Sequence, residues 1–139
     1  MIVRRLDVTV YADGGRSWHV ETSVTPAWSV IEQAVRHLDK FSHPFLFLCL
    51  SEEEDADERL EIMGGNGDYW IAGNFDGFWQ RRFVNPNGGD ERVMVWTSDQ
   101  GFGDAQRHIC HDVEVVVRVA RYFFDHGHFD PSLTWEEQP

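Results

Sequence analysis

The sequence predicts an α+β fold: one domain over residues 1–139, with a mostly antiparallel sheet and two main helices packed on it. Three observations carry that prediction. Hydrophobic residues alternate with polar ones at the start of the chain, helical spacing of apolar residues recurs in two places, and Gly/Asn turns punctuate short strand-like runs between them. A length of 139 residues suits a single domain, and no repeat or linker divides it.

Residues 2–11 alternate, with Ile2, Leu6, Val8 and Val10 on one side and Arg5, Asp7 and Thr9 on the other. Residues 17–24 alternate as well, Trp18, Val20 and Val24 sharing a face against Ser17, His19, Glu21 and Ser23. Asp13-Gly14-Gly15 lies between the two runs, which is the chemistry of a β-hairpin. Thr25-Pro26 then predicts a helix, with Thr25 as its N-cap and Pro26 at its first position. Val30, Ile31, Ala34, Val35, Leu38 and Phe41 continue one apolar stripe as far as His43-Pro44. Residues 45–50 are apolar throughout and read as a strand buried on both faces.

The middle of the chain predicts an antiparallel meander. Strands over 60–63, 68–74, 78–84 and 91–97 are separated by Gly64-Gly65-Asn66-Gly67, Asp76-Gly77 and Asn85-Pro86-Asn87-Gly88-Gly89. Residues 98–107 read as a loop. Asp112 is placed to cap a second long helix whose buried stripe is Val113, Val116, Val117, Ala120, Phe123 and Phe124, and Gly127 supplies its stop. Pro131 follows, and a short last strand is predicted around 133–135.

Charge narrows the function classes. The chain has 24 Asp and Glu against 12 Lys and Arg, a formal net charge of −12, and Lys40 is its single lysine. Such a surface repels nucleic acid and anionic membranes. It favours fast association with a basic partner, although solubility alone also explains acidity. Cys49 and Cys110 are too few for a disulfide scaffold. No apolar signal core follows Arg4-Arg5 and no run approaches 18 apolar residues, so the expectation is a cytoplasmic protein without a membrane span.

No complete catalytic or metal motif stands out, and the sequence predicts neither an enzyme nor a cofactor. His108, Cys110 and His111 form one candidate ligand group and His126 and His128 another. A helix between them separates His111 from His126 by 15 residues, about 22 Å at 1.5 Å per residue, too far to share one ion. The glycine-rich segments lack the Lys-Ser/Thr of a phosphate loop, and no Gly-x-Ser-x-Gly occurs. Residues 51–61 hold seven carboxylates and one arginine. That run is either a solvated loop or an electrostatic arm for a basic groove, in which case Glu52, Glu53, Glu54, Asp55, Asp57 and Glu58 are its partner-binding residues. Tyr69, Trp70, Phe75, Phe78 and Trp79 crowd two strands and a turn. They are core aromatics or, in an exposed subset with Asp76 at the turn, anchors for a partner at Asp76, Phe78 and Trp79.

The C-terminal stretch, V-E-V-V-V-R-V-A-R-Y-F-F-D-H-G-H-F-D-P-S-L-T-W-E over 113–136, resembles immunity protein family one of bacterial polymorphic toxin systems. The resembling positions are Ala120, Phe123 or Phe124, Gly127, Pro131 and Trp135, joined by strand-like segments at 60–62, 71–73 and 93–95. The chain departs from the family in carrying Glu114 where an early proline is common, and in a longer gap from Gly127 to Pro131. The resemblance implies an antitoxin that binds and neutralises a cognate toxin effector. Toxins paired with the family resemble nucleases and nucleic-acid deaminases, whose substrate grooves are basic. An acidic inhibitor that occludes such a groove fits the charge. It also implies structural roles for Gly127, Pro131 and Trp135. Two other classes stay open from the residues: a small enzyme using His108, His111 and nearby carboxylates, and a carbohydrate- or peptide-binding module built on exposed tryptophans.

Overall fold

The computed structural model describes residues 2–53, 58–75, 78–98 and 101–138. Its main element is a seven-stranded antiparallel sheet with the order β2-β1-β3-β4-β5-β6-β9. The strands are β1 (Arg5–Ala12), β2 (Ser17–Val24), β3 (Phe45–Cys49), β4 (Arg59–Gly65), β5 (Asp68–Phe75), β6 (Phe78–Val84) and β9 (Thr134–Glu137). Two helices, α1 (Trp28–Arg36) and α2 (Val113–His126), pack side by side on one face. A separate ribbon of β7 (Arg92–Trp96) and β8 (Phe102–Ala105) lies against part of the other face. The predicted α+β class, with a mostly antiparallel sheet and two helices on it, is the fold observed. Among the described residues no helix is long and apolar enough to cross a membrane.

Period-two alternation decides which residues meet the helices. Leu6 of β1 pairs with Leu48 of β3, Leu48 with Leu60 of β4, and Ile62 of β4 with Ile71 of β5. Together they form an aliphatic floor under Ile31 and Val35 of α1 and Val116, Val119, Ala120 and Phe123 of α2. Burial of this kind contributes roughly 1.5–3 kcal/mol per large side chain.

Helix α2 forms as its sequence signals require. The Asp112 carboxylate accepts from the Glu114 N–H at 2.9 Å, satisfying one of the orphan donors of the first turn. At the other end Gly127 adopts φ 68°, and its N–H donates to the Phe123 carbonyl at 2.7 Å. A Cβ at Gly127 would meet Ile2 Cγ2 at 2.6 Å, so a side chain there would strain the backbone and also push the exposed Ile2 side chain aside.

Four expectations change. Helix α1 begins at Trp28 and not at Thr25-Pro26: Thr25 takes φ 44° and donates its N–H back to the Arg4 carbonyl, which keeps it in the hairpin. The helix also stops at Arg36, well before Phe41. There the Asp39 carboxylate takes the backbone N–H groups of Phe41 and His43 and the Ser42 hydroxyl, a local network that competes with helix. In β3, Leu46 and Leu48 are fully buried, but Phe45 and Phe47 on the opposite face are only half-covered, so burial is not equal on both faces. Finally, the meander does not continue past β6. The turn at Asn85-Pro86 lifts the chain out of the sheet, β7 pairs with β8 inside the stretch expected to be a loop, and β9 takes the place beside β6. The Asn85 N–H donating to the Arg107 carbonyl fixes that departure.

Candidate functional site

The sheet face turned away from the helices carries the remaining chemistry. Alternation places Arg5, Asp7 and Thr9 of β1, Val20, Thr22 and Val24 of β2, Phe47 and Cys49 of β3, and Arg59 and Glu61 of β4 on it. The β7–β8 ribbon covers the neighbouring part around Trp70 and Ala72 and leaves this part open. The result is a cleft of about 460 Å³ whose lining runs from Val20 and Val24 on β2 to Arg59 on β4, with Glu52 at one end.

The floor of the cleft is a set of satisfied charges. Arg5 Nε donates to Asp7 Oδ2 at 3.0 Å, and the Thr22 hydroxyl donates to Asp7 Oδ1 at 2.8 Å. Arg59 Nε donates to Glu61 Oε1 at 3.0 Å, and its guanidinium lies 4.4 Å from the centre of the Phe47 ring. Cys49 is buried at the base, and burial pushes its thiol up from its ordinary value, away from the thiolate form that a nucleophile requires. These groups hold one another and present a charge-balanced surface.

The acidic run leaves and re-enters the sheet beside this cleft. Arg5 Nη1 donates to the backbone carbonyl of Glu52 at 2.9 Å, and the Leu50 N–H donates to the carbonyl of Glu58 at 3.1 Å. Glu52, Glu53 and Glu58 are exposed there. Of the other expected partner-binding residues, Glu54, Asp55, Asp57 and Asp76 lie outside the described residues. For Phe78 and Trp79 the description extends only to their backbone in β6. The structure thus brings the ends of the acidic run to the cleft. Trp70, by contrast, is buried at 3% exposure.

A second polar cluster sits under the β7–β8 ribbon. His108 is 1% exposed, with Nδ1 3.0 Å from Asp104 Oδ1 and Nε2 2.6 Å from Glu136 Oε1. Arg82 reaches both carboxylates, at 3.3 and 3.4 Å, and Trp70 Nε1 donates to Asp104 at 2.9 Å. Burial disfavours ionisation of Asp104, but the hydrogen bonds from His108, the Ala105 N–H and Trp70 outweigh it and hold the carboxyl below its ordinary value. The His108 hydrogen bond does the same for Glu136. This cluster joins β5, β6, β8 and β9, and so ties the ribbon and the last strand to the sheet.

No protein-family model matches this chain, and no curated protein matches it.

The two histidine groups lie apart, at opposite ends of α2. His111 contacts the Gly67 carbonyl and Asp68, whereas His126 packs its ring 4.4 Å from that of Tyr122. Among the described residues no group of three His, Cys, Asp or Glu side chains is placed to hold a metal ion. Trp135 packs between Phe129 and Phe83, and its Nε1 donates to the Asp130 carbonyl at 2.9 Å, which anchors the closing strand. Sequence reasoning did not single out the cleft residues Arg5, Asp7 and Arg59, or Glu61, the partner of Arg59. A signal existed: each pair puts opposite charges two residues apart, hence on one face of a strand.

Proposed function

We propose that this chain is an immunity protein, a bacterial antitoxin that binds a cognate toxin effector acting on nucleic acid and occludes its active site. The observation that carries the reading is electrostatic: a net charge of −12, with exposed Glu52 at one end of an open cleft and exposed Glu53 and Glu58 next in the chain to its lining residues Glu52 and Arg59. A toxin that handles nucleic acid needs a basic substrate groove. An acidic rim beside a preorganised floor complements such a groove and steers the encounter. The cleft floor keeps Arg5 and Arg59 engaged with Asp7 and Glu61, so the positive charge on this side is already neutralised within the chain. The resemblance of the C-terminal stretch to immunity protein family one supports the same role.

The test is co-purification with the product of a neighbouring toxin gene, followed by titration at two salt concentrations. The expected result is a dissociation constant on the order of nanomolar that weakens as salt rises. Replacing Glu52, Glu53, Glu54, Asp55, Asp57 and Glu58 together by Gln and Asn should slow association and flatten the salt dependence. Tight binding indifferent to salt would remove the electrostatic account, and no binding would remove the role.

A further inference from the structure

Strand β2 is the outer strand of the sheet at its N-terminal side, and seven of its eight residues are exposed. Three of the large apolar residues most open to solvent among the described ones lie on it: Trp18 at 62%, Val20 at 44% and Val24 at 59%. An edge this long normally carries lysine, proline or a bulge that prevents pairing. Between Ser17 and Val24 there is none of these; the one carboxylate, Glu21, lies 3.8 Å from His19 of the same strand, and the pairing with β1 is regular along its whole length.

Backbone parity fixes what the edge offers. The Thr25 N–H donates to Arg4, and the Tyr11 N–H turns the other way, to Ser42 beside β3. By alternation Ser23, Glu21 and His19 direct their amides toward β1, and Val24, Thr22, Val20 and Trp18 direct theirs to the open edge. A second strand must therefore pair with these four.

We propose that the occupant of this edge is a second copy of the same chain, its β2 running antiparallel about a two-fold axis at Val20 and joining the two seven-stranded sheets into one. Side-chain chemistry selects that register. Only axes near residues 20 and 21 use most of the strand. An axis at Glu21 sets that carboxylate against the partner's Glu21, which is destabilising for directly opposed charges. An axis at Val20 sets His19 against the partner's Glu21 and Glu21 against the partner's His19, so that imidazole meets carboxylate twice on the helix side. On the opposite side Val20 meets the partner's Val20, and Trp18 meets the partner's Thr22. The interface is isologous and closes on itself, so it stops at a dimer. The chains' like net charge is screened beyond about 8 Å at physiological salt. A single strand pair buries less than a standard interface, so dissociation constants on the order of micromolar are expected. This inference does not depend on the antitoxin role.

Sedimentation equilibrium of the whole chain over a concentration series tests it, with circular dichroism as a check on folding. The wild type should rise from 16.1 kDa toward twice that mass. Val20→Pro removes an outward amide that the monomer does not use, and should weaken association about tenfold. His19→Glu should weaken it too, by setting carboxylate against carboxylate. Combining His19→Glu with Glu21→Lys should restore it. A wild type that stays at monomer mass overturns the proposal. So do a dimer unaffected by Val20→Pro and a His19→Glu variant that associates like the wild type.

Discussion

The sheet face away from the helices carries charged side chains at both of its ends, and only one end is covered. Under the β7–β8 ribbon, His108, Asp104, Arg82 and Glu136 are joined in one network, with the histidine 1% exposed. At the other end, Arg5 pairs with Asp7 and Arg59 with Glu61, and Arg5, Asp7 and Arg59 line an open cleft. The ion pairs are alike, and the difference is the ribbon that lies over one set; at the open end Arg59 is 35% exposed, whereas Arg5, Asp7 and Glu61 are 6, 16 and 8% exposed. His108, Asp104 and Arg82 under the ribbon are nearly shut off from water and must be held by one another and by Glu136, so they fix how elements dock. Open pairs leave a shaped, charge-balanced surface that another molecule is able to reach.

The sharpest way to break this contrast is to remove the central group of the covered network. His108→Ala leaves Asp104 with a side-chain exposure of 14% and without its imidazole partner. It should cost about 3 kcal/mol, read from urea denaturation. A loss no greater than that of an exposed pair would mean the two ends are equivalent.

Acid should separate the ends next. Asp104 and Glu136 both sit below their ordinary values of 3.8 and 4.5 in the folded chain. Groups with depressed folded-state values bind protons more readily when unfolded, so their contribution is complete above about pH 4.5 and disappears as pH falls through the lower folded values. Denaturation midpoints should therefore drop steeply below about pH 4, and Asp104→Asn should shallow that slope. A variant as acid-sensitive as the parent would assign the slope to other carboxylates.

The smallest effect is expected at the open end. Arg59, with 35% of its side chain exposed, pairs with Glu61 and lies over Phe47. Arg59→Ala should cost about 1 kcal/mol by thermal denaturation: solvent reaches the arginine and weakens the pair, but Glu61, 8% exposed, loses this partner. A loss of several kcal/mol would show that this floor is structural like the covered one.

The parts legible in the sequence are those governed by neighbours along the chain. Helix α2 is announced by Asp112 and Gly127 because caps are local. The hairpin of β1 and β2 follows from alternation and the Asp13-Gly14-Gly15 turn. Thr25-Pro26 misleads because the hydrogen bond from Thr25 to Arg4 belongs to the strand pairing, which local patterns do not reveal. Strand β8 is hidden because Phe102-Gly103-Asp104-Ala105 has no apolar period. The covered network is illegible for a deeper reason. Its members span residues 82 to 136 and meet only when β9 docks on β6. Alternation in β2 gave no warning of exposure either, because a strand with one apolar face looks the same whether or not anything covers that face.

The place of β9 also constrains the order in which the molecule is made. Neighbours along most of the sheet are hairpins or short connections, but β6 waits for a strand that begins at Thr134, 50 residues after β6 ends at Val84. A chain growing from the ribosome therefore has β1 to β5 available for pairing while Arg82 and His108 still lack Glu136. During that interval the outer edge of β6 is open, and it is a long-range, slowly closed contact of the kind that exposes a nascent chain to misassembly. Completion of the fold is thus tied to emergence of its closing strand.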